Sequence, residues 1–151
     1  MTRREAQNYI DSYFDHYKQV KSYLDEVVKN AYNSGYAETL FKRRRYLPQL
    51  QSSNFNLRAF GERVAKNMPI QGTAADIIKL AMIKVEKCLA VQEPEANIIL
   101  QVHDEIIVEA PQSSKDKVKK ILKEEMQNTV DLPIPLEVDV GIGKTWYDAK
   151  S

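Results

Sequence analysis

The chemistry of this 151-residue chain is concentrated between Asn97 and Pro111, which reads Asn-Ile-Ile-Leu-Gln-Val-His-Asp-Glu-Ile-Ile-Val-Glu-Ala-Pro. His103, Asp104 and Glu105 stand between two short apolar runs rich in β-branched residues, and each run predicts a strand rather than a helix. No loop-length sequence separates the runs, so the triplet itself must form the bend of a tight antiparallel hairpin. That bend carries an imidazole and two carboxylates, and a carboxylate there is a good donor to a hard cation. A buried hairpin with an ordinary acidic turn is the competing reading, because Asp is a common turn residue. The apolar flanks weigh against it: they predict strands covered on both faces, where an Asp-Glu pair is costly unless a cation neutralises it.

Two other groups of polar residues stand out. Lys42-Arg43-Arg44-Arg45 lies between Thr39-Leu40-Phe41 and Tyr46-Leu47, which predicts a hairpin with a basic turn. Adjacent cations repel one another unless solvent or phosphates surround them, so the segment reads either as a clamp on a phosphate backbone or as a solvated turn. Arg63 and Asn67 lie four apart and share a helix face, and Gln71 follows just beyond Pro69.

The elements that must position these residues follow from pattern. Thr2-Arg-Arg-Glu5 is a capping box that starts a helix at Arg3, and Tyr9, Ile10, Tyr13, Phe14 and Tyr17 predict one buried, packed stripe along it. A second helix is expected from about Gln19 to Ser34 with Gly35 at its C′ position, which makes residues 1–35 a helical hairpin. Ser52 or Ser53 is expected to cap a helix over 54–67, which Pro69 interrupts before a new one starts at Gln71. Ala74, Ile77, Ile78, Ala81, Val85, Cys88 and Leu89 mark that next helix as the central core helix. Beyond the His-Asp-Glu hairpin, Ser113-Ser-Lys-Asp116 predicts another capping box, ahead of a helix with a solvated, Lys-rich outer face. Leu136 to Val140 alternates apolar and acidic residues like a strand with one wet face. Helices interspersed with antiparallel hairpins predict an α+β fold.

Composition bounds the function classes. Hydrophobic content of 43% with 28% charged residues predicts a soluble globular domain, and no apolar run reaches the ~20 residues of a membrane span. The single Cys88 excludes an intramolecular disulfide and, with no signal-peptide core at the N-terminus, predicts a cytoplasmic protein. One Cys and two His argue against a structural zinc site. A net charge of +1 conceals an asymmetry: residues 1–90 hold 15 Lys+Arg against 9 Asp+Glu, and residues 91–151 hold 7 against 12. Such a split suits a protein that grips a polyanion with one part and holds cations with another.

Four stretches, in this order, resemble the family A (bacterial DNA polymerase I type) DNA polymerases. They are Thr39-Leu-Phe-Lys-Arg-Arg-Arg-Tyr-Leu-Pro48, Asn54-Phe-Asn-Leu-Arg58 leading to Glu62-Arg63, Asn67-Met-Pro-Ile-Gln-Gly-Thr-Ala-Ala-Asp-Ile-Ile-Lys79, and Gln101 to Pro111, which is similar to the family's C motif. The ending, Pro135-Leu-Glu-Val-Asp-Val-Gly-Ile-Gly followed by Trp146, is similar too. The resemblance implies a helical hairpin at the rear of the fingers (1–35), then a partial palm (36–151) with a long core helix packed on antiparallel strands. It implies that Asp104 is a ligand of catalytic Mg²⁺, that Glu105 lies beside the site and that His103 contacts the primer end. Neighbouring residues of extended backbone point to opposite faces, so Asp104 and Glu105 are not expected both to chelate one ion fully. The resemblance also implies that Arg63, Asn67 and Gln71 reach the duplex near the primer terminus, and that Arg43, Arg44 and Arg45 lie against nucleic acid backbone.

The departures matter as much. Two-metal phosphoryl transfer requires at least two carboxylate ligands, and nothing in the 151 residues resembles the family's A motif with its second metal-binding Asp. The fingers helix that holds the triphosphate is missing as well. Lys42 stands where the family usually has Gly, at a turn position where φ can be positive, and Gly61 where it usually has Ala. The expectation is a monomeric fragment of a DNA-directed DNA polymerase, with primer-template DNA and deoxynucleoside triphosphates as partners of the intact enzyme and no membrane association. By itself the fragment is expected to be inactive. The alternative is a non-catalytic module that binds primer-template duplex; a small nuclease built on Asp104 and Glu105 is a thinner third reading.

Overall fold

The computed structural model describes residues 2–150 and has the α+β composition that the sequence predicts. The chain divides into two compact units at the Thr73–Ala74 bond, each with its own core.

In the first unit, helix α1 (Arg3–His16) starts at the expected capping box: the Thr2 hydroxyl accepts from the Glu5 amide, and the Glu5 carboxylate accepts from the Thr2 amide at 2.6 Å. Its aromatic stripe, however, is not buried. No residue of α1 is buried: Tyr9 and Tyr13 keep 72% and 51% of their area exposed, and the Tyr13 ring packs on those of Phe14 and Tyr17 along the helix surface. Helix α2 (Lys18–Ser34) ends at Gly35, whose φ of 78° gives the left-handed cap that glycine adopts without strain. Strands β1 (Tyr36–Glu38) and β2 (Arg44–Tyr46) pair antiparallel, Glu38 opposite Arg44. The turn is therefore 39–43, and Arg44 and Arg45 stand on the returning strand rather than in the turn.

After a 3₁₀ turn at Pro48–Gln51, helix α3 (Phe55–Asn67) is capped not by a serine but by Asn54, whose side chain accepts from the Asn56 amide at 2.9 Å. Pro69 does not end the helical path. Met68–Gly72 forms one π-helical turn that runs directly into the next helix, and this wider turn accommodates a residue that has no N–H to donate. The core of this unit is built from Ala31, Ala37, Leu47, Leu50 and Ala65. Tyr32 on α2 donates to the Glu62 carboxylate on α3 at 2.9 Å.

In the second unit, α4 (Thr73–Gln92) is the expected core helix. Ala81, Val85 and Leu89 are buried along it, although Ala74, at its start, is exposed. Val85 and Leu89 pack with Ala96 and with Val118, Ile121 and Leu122 of α5 (Lys115–Gln127), and Ile98 and Val108 of the strands lie against this cluster. Helix α5 lacks the expected capping box: Ser114 makes no side-chain cap and instead donates to the Pro111 carbonyl. Its Lys-rich face is not simply solvated either, since Lys117 pairs with Glu93 at 2.7 Å. Leu136 to Val140 alternates in burial as expected, with Glu137 and Asp139 exposed, but it joins no strand ladder and is not a β-strand. The chain closes with the short helix α6 (Trp146–Ala149), capped by Thr145.

Candidate metal-binding carboxylate and nucleic-acid interface

Strands β3 (Asn97–Val102) and β4 (Glu105–Glu109) form the predicted hairpin, with Val102 opposite Glu105. That pairing leaves a two-residue turn, His103-Asp104, so Glu105 is the first residue of the returning strand. His103 has φ of 53°, a left-handed value that tight two-residue turns require and that a non-glycine residue adopts at some cost. The Gln101 side-chain amide donates to the His103 carbonyl and ties the turn to β3. The hairpin is not covered on both faces. At a bulge between Ile98 and Leu100, Ile99 and Leu100 keep 57% and 44% of their area exposed, while Ile98 and Val108 lie against the core of this unit.

The two carboxylates consequently have different surroundings. Glu105 is half-buried and held: its Oε2 accepts from the Trp146 indole N–H at 3.3 Å, and its Oε1 pairs with the Lys150 ammonium at 3.0 Å. Asp104 is exposed and has no hydrogen bond or ion pair among the described residues. An unpartnered carboxylate is a hard oxygen donor, so it fits one ligand position of a Mg²⁺ ion. It does not fit a complete site, because among the described residues no three His, Cys, Asp or Glu side chains converge.

In the first unit, the four adjacent cations are not equivalent. Lys42 pairs with Glu38 at 2.8 Å, and Arg44 reaches the same carboxylate at 3.7 Å while lying 4.5 Å from the Tyr36 ring centre. The hydrogen bond from Lys42, with the charges of Lys42 and Arg44, holds the Glu38 carboxyl below its ordinary value, and the same hydrogen bond, with the charge of Glu38, raises the Lys42 ammonium above its own. Lys42 adopts φ of 66°, so the turn keeps the left-handed geometry for which a glycine is better suited. The buried Thr39 anchors the turn: its hydroxyl accepts from the Arg43 amide, its carbonyl from the Lys42 amide, and the next amide, Leu40, donates to the Thr73 hydroxyl at 2.9 Å. Arg45 is exposed on β2 with no side-chain hydrogen bond or ion pair among the described residues.

Arg63, Asn67 and Gln71 are all exposed and recur every four residues from α3 into the π turn. The Asn67 and Gln71 amides have no hydrogen-bond partner among the described residues, and the Arg63 guanidinium lies 5.9 Å from the Phe60 ring centre. These are polar groups supplied with donors and left open, as a surface that meets an external hydrogen-bonding partner requires. What sequence reasoning missed is the hold on Glu105. Its signal was faint: the only tryptophan of the chain, three residues after a Gly-Ile-Gly stretch.

Comparison with known proteins places this geometry in context. The family model for DNA polymerase family A matches residues 1–148. The chain is 50% identical over 150 residues to a DNA polymerase I of Streptococcus pneumoniae (strain TIGR4) and 51% identical to one of Caldicellulosiruptor bescii. Each match covers 99% of this chain but only 17% and 18% of those relatives. Among solved structures, the POL domain of Pol1 from M. smegmatis, in complex with DNA primer-template and dNTP, superposes with a TM-score of 0.95 at 42% identity, over 100% of this chain and 27% of that one.

Proposed function

This chain belongs to DNA polymerase family A, and from that premise we propose that it is part of a DNA-directed DNA polymerase that adds deoxynucleotides to a primer 3′ end. The observation that carries the reading is Asp104, an open carboxylate at the tip of a tightly registered hairpin. In the reaction the primer 3′-hydroxyl loses its proton, its oxygen attacks the α-phosphorus of a deoxynucleoside triphosphate, and pyrophosphate leaves. Mg²⁺, when bound, stabilises negative charge on the attacking and leaving oxygens.

Asp104 supplies one carboxylate to that cation, Glu105 stands beside it, and His103 contacts the primer end. Arg63, Asn67 and Gln71 contact the duplex near the primer terminus, where minor-groove acceptors common to all correct base pairs let polar side chains sense geometry without reading sequence. Arg43, Arg44 and Arg45 contact the phosphate backbone, which fixes register. Residues 1–35 belong to the rear of the fingers and 36–151 to the palm of a cytoplasmic, monomeric enzyme acting on primer-template DNA.

The 151 residues contain neither a second motif Asp nor a triphosphate-binding helix, so the chain alone extends no primer. Exchanging the matching 150 residues of the Streptococcus pneumoniae relative for this chain tests the reading. The chimera should extend a primed template with Mg²⁺, and Asp104→Ala should lower extension by at least about a hundredfold. A chimera that binds primer-template and extends nothing would overturn the proposal.

A second reading, a non-catalytic duplex-binding module, is favoured by the charge of the first unit: 12 Lys+Arg against 7 Asp+Glu over residues 1–73, a net of +5. It requires that the isolated chain bind primer-template at low salt and that Asp104→Ala leave this affinity within about twofold. No binding at low salt would end it.

A further inference from the structure

The basic hairpin of the first unit is attached at both of its ends. At its base the Leu47 amide donates to the Gly35 carbonyl at 2.9 Å, and at its tip the Leu40 amide donates to the Thr73 hydroxyl at 2.9 Å. Thr73 follows the π turn directly, so the tip bond joins the hairpin that carries Arg44 and Arg45 to the helical path that carries Arg63, Asn67 and Gln71. Gly72 lets the two segments meet. Its φ is not positive, so the backbone there does not call for glycine; a Cβ on it would instead stand 2.8 Å from the methyl of the buried Thr39 and 3.1 Å from the Met68 sulfur. The end of the Met68 side chain can swing aside, but Thr39, whose backbone and hydroxyl close the turn, cannot. The Leu40–Thr73 bond is exposed, so water can replace the hydroxyl at little cost in stability. What the bond contributes is placement.

We propose that Thr73 and Gly72 are positioning residues for nucleic-acid binding: they hold the tip of the basic hairpin against the π turn, so that the phosphate contacts of the hairpin and the contacts of Arg63, Asn67 and Gln71 meet one duplex at a fixed spacing. The inference rests on the reading of both groups as duplex contacts. A hairpin held only at its base swings, and the duplex must then order it before each contact forms. Attachment at the tip removes that cost before the duplex arrives.

The chimera with the Streptococcus pneumoniae relative supplies both readouts, primer-template affinity at low salt and, without DNA, hydrogen exchange of the turn 39–43. Arg45→Ala should weaken binding about fivefold in the parent chimera but less than about twofold once Thr73→Val is present, whereas Gln71→Ala should cost the same in both backgrounds. Thr73→Val should itself weaken binding about threefold and speed exchange of the turn. Gly72→Ala should do the same, and Thr73→Ser, which keeps the acceptor, should do neither. A general loosening of the unit would instead shrink the Arg45 and Gln71 costs together. That outcome, an Arg45→Ala cost unchanged by Thr73→Val, or exchange that Thr73→Val leaves unmoved would overturn the proposal. Failure of the underlying reading shows separately, as Arg45→Ala and Gln71→Ala that each leave the parent affinity unchanged while Thr73→Val still speeds exchange.

Discussion

The two compact units solve opposite problems with their charged groups. The first, net +5 over residues 1–73, leaves Arg45, Asn67 and Gln71 without partners among the described residues; the second, net −4 over residues 74–151 with 10 Lys+Arg against 14 Asp+Glu, ties one of its two tip acids down. Their cores differ in the same sense. Three of the five buried core residues of the first unit are alanines, whereas the second packs Val85, Leu89, Val118, Ile121 and Leu122. A broad contact with a polyanion tolerates side chains that adjust on arrival, since each phosphate contact is worth little alone. On the proposed reading of Asp104 as a cation ligand, its hairpin needs a rigid support, and a core of large branched side chains provides one.

The sharpest test of the contrast is stability. Leu89→Ala should cost about 3 kcal/mol, read from the urea midpoint, because it opens a cavity among Val85, Ile121 and Leu122. Tyr13→Ala, on the exposed stripe of α1, should cost less than about 1 kcal/mol in the same experiment. Equal losses would mean that the stripe is covered in solution. Next in size is the salt dependence of duplex binding. Replacing Arg44 and Arg45 together by Ala should flatten the log–log slope by nearer one than two phosphate contacts' worth, about 0.9 each, because Arg44 already shares Glu38 with Lys42. A full two-contact loss would show that DNA displaces Glu38.

Smaller effects sharpen the comparison within each unit. Burial, together with the Glu125 carboxylate, pushes the Cys88 thiol above its ordinary value, so at pH 8 it should react with iodoacetamide more slowly than free cysteine, and Leu89→Ala should speed the reaction. The smallest effect is at the basic hairpin. Because the Glu38 carboxyl is held below its ordinary value, its contribution is fully present above the unfolded pKa and is lost as pH falls through the lowered folded value. Acid unfolding of Glu38→Gln should therefore lose part of its pH dependence in that window, and added salt should reduce the difference.

Most of the fold was legible because it is written in local pattern. The capping box at Thr2, the cap at Gly35, the stripe of α4 and the hairpin around His103-Asp104 each depend on residues within a few positions of one another. What failed depended on partners far along the chain. The α1 stripe looked like core because periodicity shows that a face is apolar and not what lies against it. Leu136 to Val140 had a strand's alternation, yet a strand also needs a neighbour to pair with. Pro69 looked like a break because sequence shows the missing N–H, while the π turn that absorbs it is a property of the surrounding helix. At the candidate site, the residue types were legible from the motif. The unequal fates of Asp104 and Glu105 were not, since the deciding contacts come from 41 residues and more downstream.

The left-handed φ of His103 bears finally on the order in which the second unit assembles. A hairpin with a two-residue turn has the shortest loop to close and is a natural early nucleus, but only if its turn residues reach their native angles readily. An imidazole-bearing residue visits positive φ less often than glycine does, so a glycine at position 103 is expected to close the hairpin faster. His103→Gly should raise the refolding rate more than it changes the unfolding rate, as expected for a turn already formed in the transition state. If that difference is found, histidine at this turn trades folding speed for an imidazole one residue from the open carboxylate.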